Sequence, residues 1–193
     1  MKVSREQAAK NRAHVVEVAG TEFRRHGFDG IGVADLMQAA GLTHGGFYNN
    51  FASKDALAAE AVTRVFADTI ERLRQYALAA DDPYAATVRY YLSPEHRDSV
   101  ESGCAIAALS QDAARGSPEL RAAFEAGIAA YLDLIIEIGG LTRAQAMAAY
   151  ATMVGALTLA RTVIDPVLST AILAAAVDSL LAGKESSTAA LHR

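Results

Sequence analysis

The sequence predicts an all-α protein of about nine helices, a three-helix head followed by a larger helical body. Three observations carry that prediction. Alanine is abundant while the 193 residues hold only 4 Pro, so helix formers dominate and breakers are few. Apolar residues recur at spacings of three and four along successive segments, which gathers them on one helix face. Gly, Pro and capping residues punctuate the segments where helices stop and start.

Residues 1 to about 8 read as a flexible arm. Lys10–His26 is the first helix, with Val15, Val16, Ala19 and Phe23 on one face, and Gly27 ends it. Phe28-Asp29-Gly30 leads to a short second helix, Val33–Ala40, held inward by Val33, Leu36, Met37, Ala39 and Ala40. Gly41 supplies the positive φ of a tight turn, Leu42 returns to the core, and Thr43 is placed to cap a third helix. That helix is very short, His44 to Asn50, and closes on Phe51. Ser53 then caps a long fourth helix reaching about Ala79, with Leu57, Ala61, Val65, Ile70 and Leu73 at its apolar positions.

The head therefore spans residues 1–52 and the body 53–193. In the body, helices are expected over 83–92, 103–115, 118–138, 142–163 and 169–182. Polar breaks at Ser93–Gly103, Gly116-Ser117-Pro118, Gly139-Gly140 and Asp165-Pro166 separate them, with Ser117, Thr142 and Ser169 as capping candidates. Gly183–Arg193 reads as a frayed tail.

Charge is unevenly divided. The formal net charge is −4, yet residues through Lys54 carry 7 Lys and Arg against 5 Asp and Glu, and the remainder 11 against 17. A mildly basic head on an acidic body suits a nucleic-acid reader whose other half avoids phosphate. Cys104 is the only cysteine, so no intramolecular disulfide forms and a reducing, cytoplasmic setting is expected. The polar start MKVSREQAAKNR does not resemble a signal peptide. The longest nearly apolar run, Ala146–Ala160, is broken by Thr152 and Thr158 and falls short of the roughly 18–20 residues that span a bilayer. It is expected to be a buried helix, with no membrane partner. Nor is an enzyme expected. The five His, at 14, 26, 44, 96 and 192, lack metal-ligand spacing, the lone Cys has no evident catalytic partner, and Gly45-Gly46 is followed by no Lys-Ser/Thr. No catalytic residue, metal or cofactor is assigned.

The informative segment is Gly30–Lys54, GIGVADLMQAAGLTHGGFYNNFASK, two short helices joined by a glycine turn. Apart from Phe47 and Phe51, the second of them carries small or hydrogen-bonding residues. Two glycines in so short a helix each cost about 1 kcal/mol against alanine. They are useful where a backbone must approach something closely. The stretch from Arg12 to Ala59, and above all the pattern Gly-Phe-Tyr-x-x-Phe-x-x-Lys at residues 46–54, resembles the DNA-binding domain of the TetR family of bacterial repressors. The likeness is sharp over the first quarter of the chain and general beyond it.

That resemblance implies a role for each matching residue. Thr43, His44 and Gly45 would face base edges in the major groove, and Tyr48 would press on the DNA backbone. Asn49 and Asn50 would add phosphate or base contacts, and Lys54 would meet a phosphate at a helix N-terminus. Arg12, with Arg5 and Lys10, would supply arm contacts. Two positions depart from the family pattern. Asn50 stands where His is common, and Gly32 where a Thr often caps the second helix.

The resemblance also implies a homodimer through the last two long helices, matching a palindromic double-stranded operator. Ala148, Ala149, Val154, Ala156, Leu157 and Ala160 would meet Ile172, Leu173, Ala176, Leu180 and Leu181 there. A small-molecule effector would occupy the body, with Tyr90, Cys104, Phe124, Tyr131, Tyr150 and Met153 as candidate lining. Cys104 at a helix start has two readings, a reactive sensor thiol or a small core residue. The function expected is a repressor released by its ligand, with activation of transcription as the alternative.

Overall fold

The computed structural model describes residues 4–191, with side chains through Gly183. Among these residues nine α-helices and one 3-10 turn form, with no strand. The helices are α1 Arg5–His26, α2 Val33–Ala39, α3 Lys54–Leu78, α4 Pro83–Tyr91, α5 Pro94–Asp98, α6 Ala105–Arg115, α7 Pro118–Gly139, α8 Arg143–Thr162 and α9 Pro166–Leu191.

Several starts and stops follow from local chemistry. Ser4 caps α1, its Oγ accepting the N–H of Gln7 at 3.1 Å, and Lys10–Glu6 and Gln7–Asn11 pairs bridge one turn. Residues 5–8 are therefore helical where an arm was expected; the sequence shows no apolar face there, because polar pairs support the turn. Ser53 caps α3 through the N–H of Ala56 at 3.0 Å. Thr142 and Gln145 form a reciprocal capping box on α8. Ser117 accepts from Leu120 N–H at 3.3 Å.

Ser169 does not cap α9. The helix begins earlier, at Pro166, with the Asp165 carboxylate accepting the Val167 N–H, and buried Ser169 donates instead to the Ala160 carbonyl at 2.7 Å. The helix also continues to Leu191, through most of the expected tail; His192 and Arg193 lie outside the described residues. The expected break at 93–103 contains α5, a single turn capped by Ser93 and opened by Pro94.

The chain divides into two compact units. One comprises residues up to Thr69 with Val100–Ile128; the other is Ile70–Ser99 with residues from Ala129 onward. The sequence boundary at 52/53 falls inside the first. Helices α3 and α7 each run unbroken through a division point.

The first unit is built on a run of aromatic rings. Phe23 meets Phe28 at 5.1 Å, Phe28 meets Phe124 at 6.3 Å, and Phe124 meets Phe66 at 5.6 Å, all edge-on. Val15, Val16, Ala19, Leu36, Met37, Phe47, Leu57 and Ala61 complete this core, whereas Ala39 is exposed and takes no part. Helix α6 ties onto the end of α1: Arg24 donates to the Glu101 carbonyl at 2.7 Å, and Asp112 accepts the Phe28 N–H at 3.4 Å.

In the second unit Tyr91, Leu134, Ile135, Met153 and Leu157 are almost wholly buried. Helix α5 is tied in from three sides. Arg161 of α8 donates to the carbonyls of His96 and Arg97, Arg97 donates to Ser169, and the His96 ring bonds the Tyr91 carbonyl at 2.7 Å.

Candidate nucleic-acid interface

Helices α1 and α2 and the turn after them build the candidate site. Gly41 has φ +68°, a backbone state that side chains other than glycine rarely adopt, and this reverses the chain after α2. The next segment is not an α-helix. It is a 3-10 turn over His44–Gly46, continued by N–H to carbonyl bonds from Phe47 to His44, Asn50 to Phe47 and Phe51 to Phe47. Thr43 makes no side-chain capping bond. Gly45 and Gly46 explain the departure from the expected helix, because they favour regular α structure least among residues other than proline.

Phe47 and Phe51 anchor this turn inward. Both are buried, and their rings lie 5.5 Å apart. The opposite side faces solvent: Thr43, His44, Gly45, Tyr48 and Asn49 are all exposed, Tyr48 by 67%. Tyr48 packs edge-on against Phe47 at 5.1 Å and His44 at 6.1 Å, so its ring is oriented despite that exposure. A Cβ placed on Gly45 would have nothing within 4 Å, which leaves the backbone open to close approach.

Asn50 and Arg12 sit behind the turn. The Asn50 amide donates to the Gly46 carbonyl at 2.8 Å, and both residues are half-buried. Arg12 of α1 forms a fork with Glu60 of α3, at 2.5 and 2.6 Å, and its Nε donates to the Asn50 carbonyl at 3.4 Å. Its guanidinium also lies 4.8 Å from the centre of the Phe51 ring. The Glu60 hydrogen bond raises the Arg12 pKa, against the lowering effect of burial. Lys54 is half-buried at the first position of α3, and Lys10 pairs with Glu6. Gly32, at the N-cap of α2, supplies no side-chain cap.

The six candidate lining residues are divided between the units. Cys104 and Phe124 belong to the first, Tyr90, Tyr131, Tyr150 and Met153 to the second. Tyr131 and Tyr150 are brought together as buried, stacked rings 5.0 Å apart. Tyr90 is nearly half exposed, stacked on the His96 ring at 5.8 Å and tilted against Tyr76 at 5.1 Å. Cys104 is 1% exposed at the N-cap of α6, and Phe124 belongs to the aromatic run. A cleft of about 240 Å³ in the second unit, lined by Tyr84, Leu141, Gln145, Thr152, Ser179 and Leu180 among others, includes none of the six. The sequence points to three of its walls, Ala148, Ala149 and Leu180, only as interface residues, and the others come from segments far apart in the chain. Among the described residues no group of three or more His, Cys, Asp or Glu is placed to hold a metal.

The last two helices pack on each other, so Ala149, Ala156, Leu157, Ala160, Leu173 and Ala176 are buried within the chain. Of the other residues expected at the interface, Ala148 is exposed and Val154, Ile172, Leu180 and Leu181 are half-buried, and further exposed apolar residues include Met147, Leu159, Ile164, Val167 and Leu168. The window Pro166–Gly183 is long and apolar enough to cross a membrane by length and composition, with a mean hydropathy of 1.6, and 17% of it is buried. It is longer than the run Ala146–Ala160 and reaches spanning length although it contains one charged residue, Asp178, where that run has none.

A glycine turn that joins α2 to a short 3-10 segment with an outward polar side and inward aromatics is the arrangement expected of a helix-turn-helix DNA-binding domain. Residues 15–61 match the family model described as bacterial regulatory proteins, tetR family. That segment has the sequence signature of the tetR-family DNA-binding domain, and the fold as a whole is similar to that of solved TetR-family regulators. The chain is 26% identical over 128 residues to the HTH-type transcriptional repressor NemR of Escherichia coli strain K12, a match covering 64% of each protein. It is 28% identical over 130 residues to the repressor DhaR of Mycobacterium sp. strain GP1, covering 65% of this chain and 66% of that one. The matches thus span just under two thirds of these relatives' lengths. Among solved structures, a TetR transcriptional regulator from Chloroflexus aurantiacus aligns with a TM-score of 0.76 at 25% identity, covering 91% of this chain and 94% of that one. Reduced Escherichia coli NemR aligns with a TM-score of 0.74 at 24% identity, covering 89% and 95%.

Proposed function

We propose that the chain is a transcriptional repressor that binds a palindromic DNA operator as a homodimer and leaves it when a small molecule binds the body. The observation that carries this is the outward row Thr43, His44, Gly45, Tyr48 and Asn49 on a turn pinned by buried Phe47 and Phe51. Thr43, His44 and Gly45 would read base edges in the major groove, and Tyr48, Asn49 and Lys54 would meet the backbone. Asn50 contributes from behind the turn.

Two half-sites one helical turn apart need two heads related by a two-fold axis. The apolar surface that α9 leaves exposed beside its packing on α8 supports burial of that surface against a second copy, since a large apolar patch is costly in water. For release, an effector must bind the DNA-incompetent arrangement more tightly, by about 1.4 kcal/mol for each tenfold loss of DNA affinity. Helix α3 is the natural carrier, because it runs unbroken from Lys54 of the candidate interface into the second unit. The buried Tyr131–Tyr150 pair supports an aromatic wall for the effector within that unit.

Selection of bound fragments from random and genomic DNA tests this reading. The expected result is a palindromic site whose affinity falls steeply with salt and is lowered by one member of a small-molecule panel. No preference for any duplex over scrambled competitor would overturn it.

A further inference from the structure

The contacts of Arg12 lead away from a DNA backbone. Two of its nitrogens face the Glu60 carboxylate as a fork, the third is directed at the Asn50 carbonyl, and the plane covers Phe51. Asn50 in turn bonds the Gly46 carbonyl in the middle of the recognition turn. A continuous chain of contacts thus runs from α3 through α1 to the segment that would meet base edges. Glu60 also sets a negative charge beside Arg12, which opposes any phosphate approaching the same guanidinium.

We infer that Arg12 is a positioning residue, and that the relay Glu60–Arg12–Asn50–Gly46 holds the recognition turn at the angle from which it reads DNA. This rests on the DNA-binding reading above and goes beyond it by naming what aligns the reader. The turn needs such support. It is a 3-10 segment with two glycines, few internal hydrogen bonds and a largely exposed outer side, so local helix propensity does little to hold it. The guanidinium fork suits the task because it engages a carboxylate in two places and stacks on a ring at once.

The two roles open to Arg12 differ in sign. A phosphate contact would be strengthened by neutralising Glu60, whereas a clamp would be broken by it. The experiment compares Arg12→Gln and Glu60→Gln with the unaltered full-length chain. In the free protein, amide hydrogen exchange over Phe47–Phe51 should accelerate about tenfold in both variants. On the duplex obtained by selection, both should lose about tenfold in affinity, the size of one lost base contact, with little change on scrambled DNA. The slope of log affinity against log salt should stay within experimental error of the unaltered chain's. If Glu60→Gln instead binds more tightly, or Arg12→Gln reduces the slope by about 0.9, Arg12 contacts phosphate and the relay is wrong. Unchanged exchange in both variants also overturns it. The exchange measurement requires no DNA, so the positioning role stands or falls even if no specific duplex is found.

Discussion

Gly127 of α7 lies directly against the Phe66 ring of α3, so closely that a Cβ built on it would stand 2.2 Å from the nearest ring carbon. Phe66 is itself buried and edge-on to Phe124, which leaves its ring little room to retreat. Two opposing effects meet at this glycine. Alanine in a helix interior is favoured over glycine by about 1 kcal/mol. Forcing extra volume into a packed core costs about 1–3 kcal/mol. Overpacking should win, so Gly127→Ala lowers unfolding free energy by up to about 2 kcal/mol in denaturant titrations. Combining it with Phe66→Leu should cost less than the sum of the two single changes, because the clash and the ring disappear together.

The elements legible in the sequence are those whose signal is local. The Ser53 and Thr142 caps, the α1 face of Val15, Val16, Ala19 and Phe23, and the Gly41 reversal each depend on residues a few positions apart. What escaped notice depends on distant partners. Helix α5 is stabilised by Arg161 and Ser169, more than sixty residues away, and a five-residue turn has no periodicity of its own. The polar start of α1 lacked an apolar face to announce it. In the candidate site, Thr43, His44, Gly45, Tyr48 and Asn49 were legible as a polar outward set because Phe47 and Phe51 frame them. The Arg12–Glu60 fork was not, since its members are 48 positions apart.

Tyr48 allows binding and stability to be separated. With two thirds of the residue in solvent, Tyr48→Ala removes little buried area and should change folding stability by no more than about 0.5 kcal/mol. If the ring meets the DNA backbone, affinity for the selected duplex should fall about tenfold or more, by fluorescence anisotropy, as for loss of a backbone-positioning contact. Lys54→Gln should weaken selected and scrambled duplexes alike, and reduce the salt slope by about 0.9, the value of one phosphate contact.

The exposed side of α9 offers a test of assembly. Val167 is 75% exposed and Leu168 48%, so neither is needed for the fold of the single chain. Replacing both with Glu should leave the helical circular-dichroism signal unchanged while shifting sedimentation equilibrium from dimer to monomer. An interface of ordinary size cannot desolvate four unpaired carboxylates across its two-fold axis. The same variant should lose preference for a palindrome over a single half-site. A dimer that persists would place the interface elsewhere.

His96 gives stability a pH dependence whose sign is set by burial. Desolvation lowers its pKa, the bond to the Tyr91 carbonyl opposes that effect, and the nearby Arg161 charge adds to the lowering. An unfolded histidine titrates near pH 6.5, so below about that value the unfolded chain takes up a proton that the folded chain refuses. Stability from this residue is therefore complete above about pH 6.5 and is lost as pH falls toward the depressed folded value. Melting temperatures measured between about pH 7.5 and 5 should decline in the unaltered protein. His96→Asn should lower stability at neutral pH, through loss of the ring packing on Tyr90 and Tyr91, yet flatten that decline. Parallel pH profiles for the two proteins would mean that His96 takes up its proton equally in both states, and that its burial between α4 and Arg161 carries no electrostatic cost.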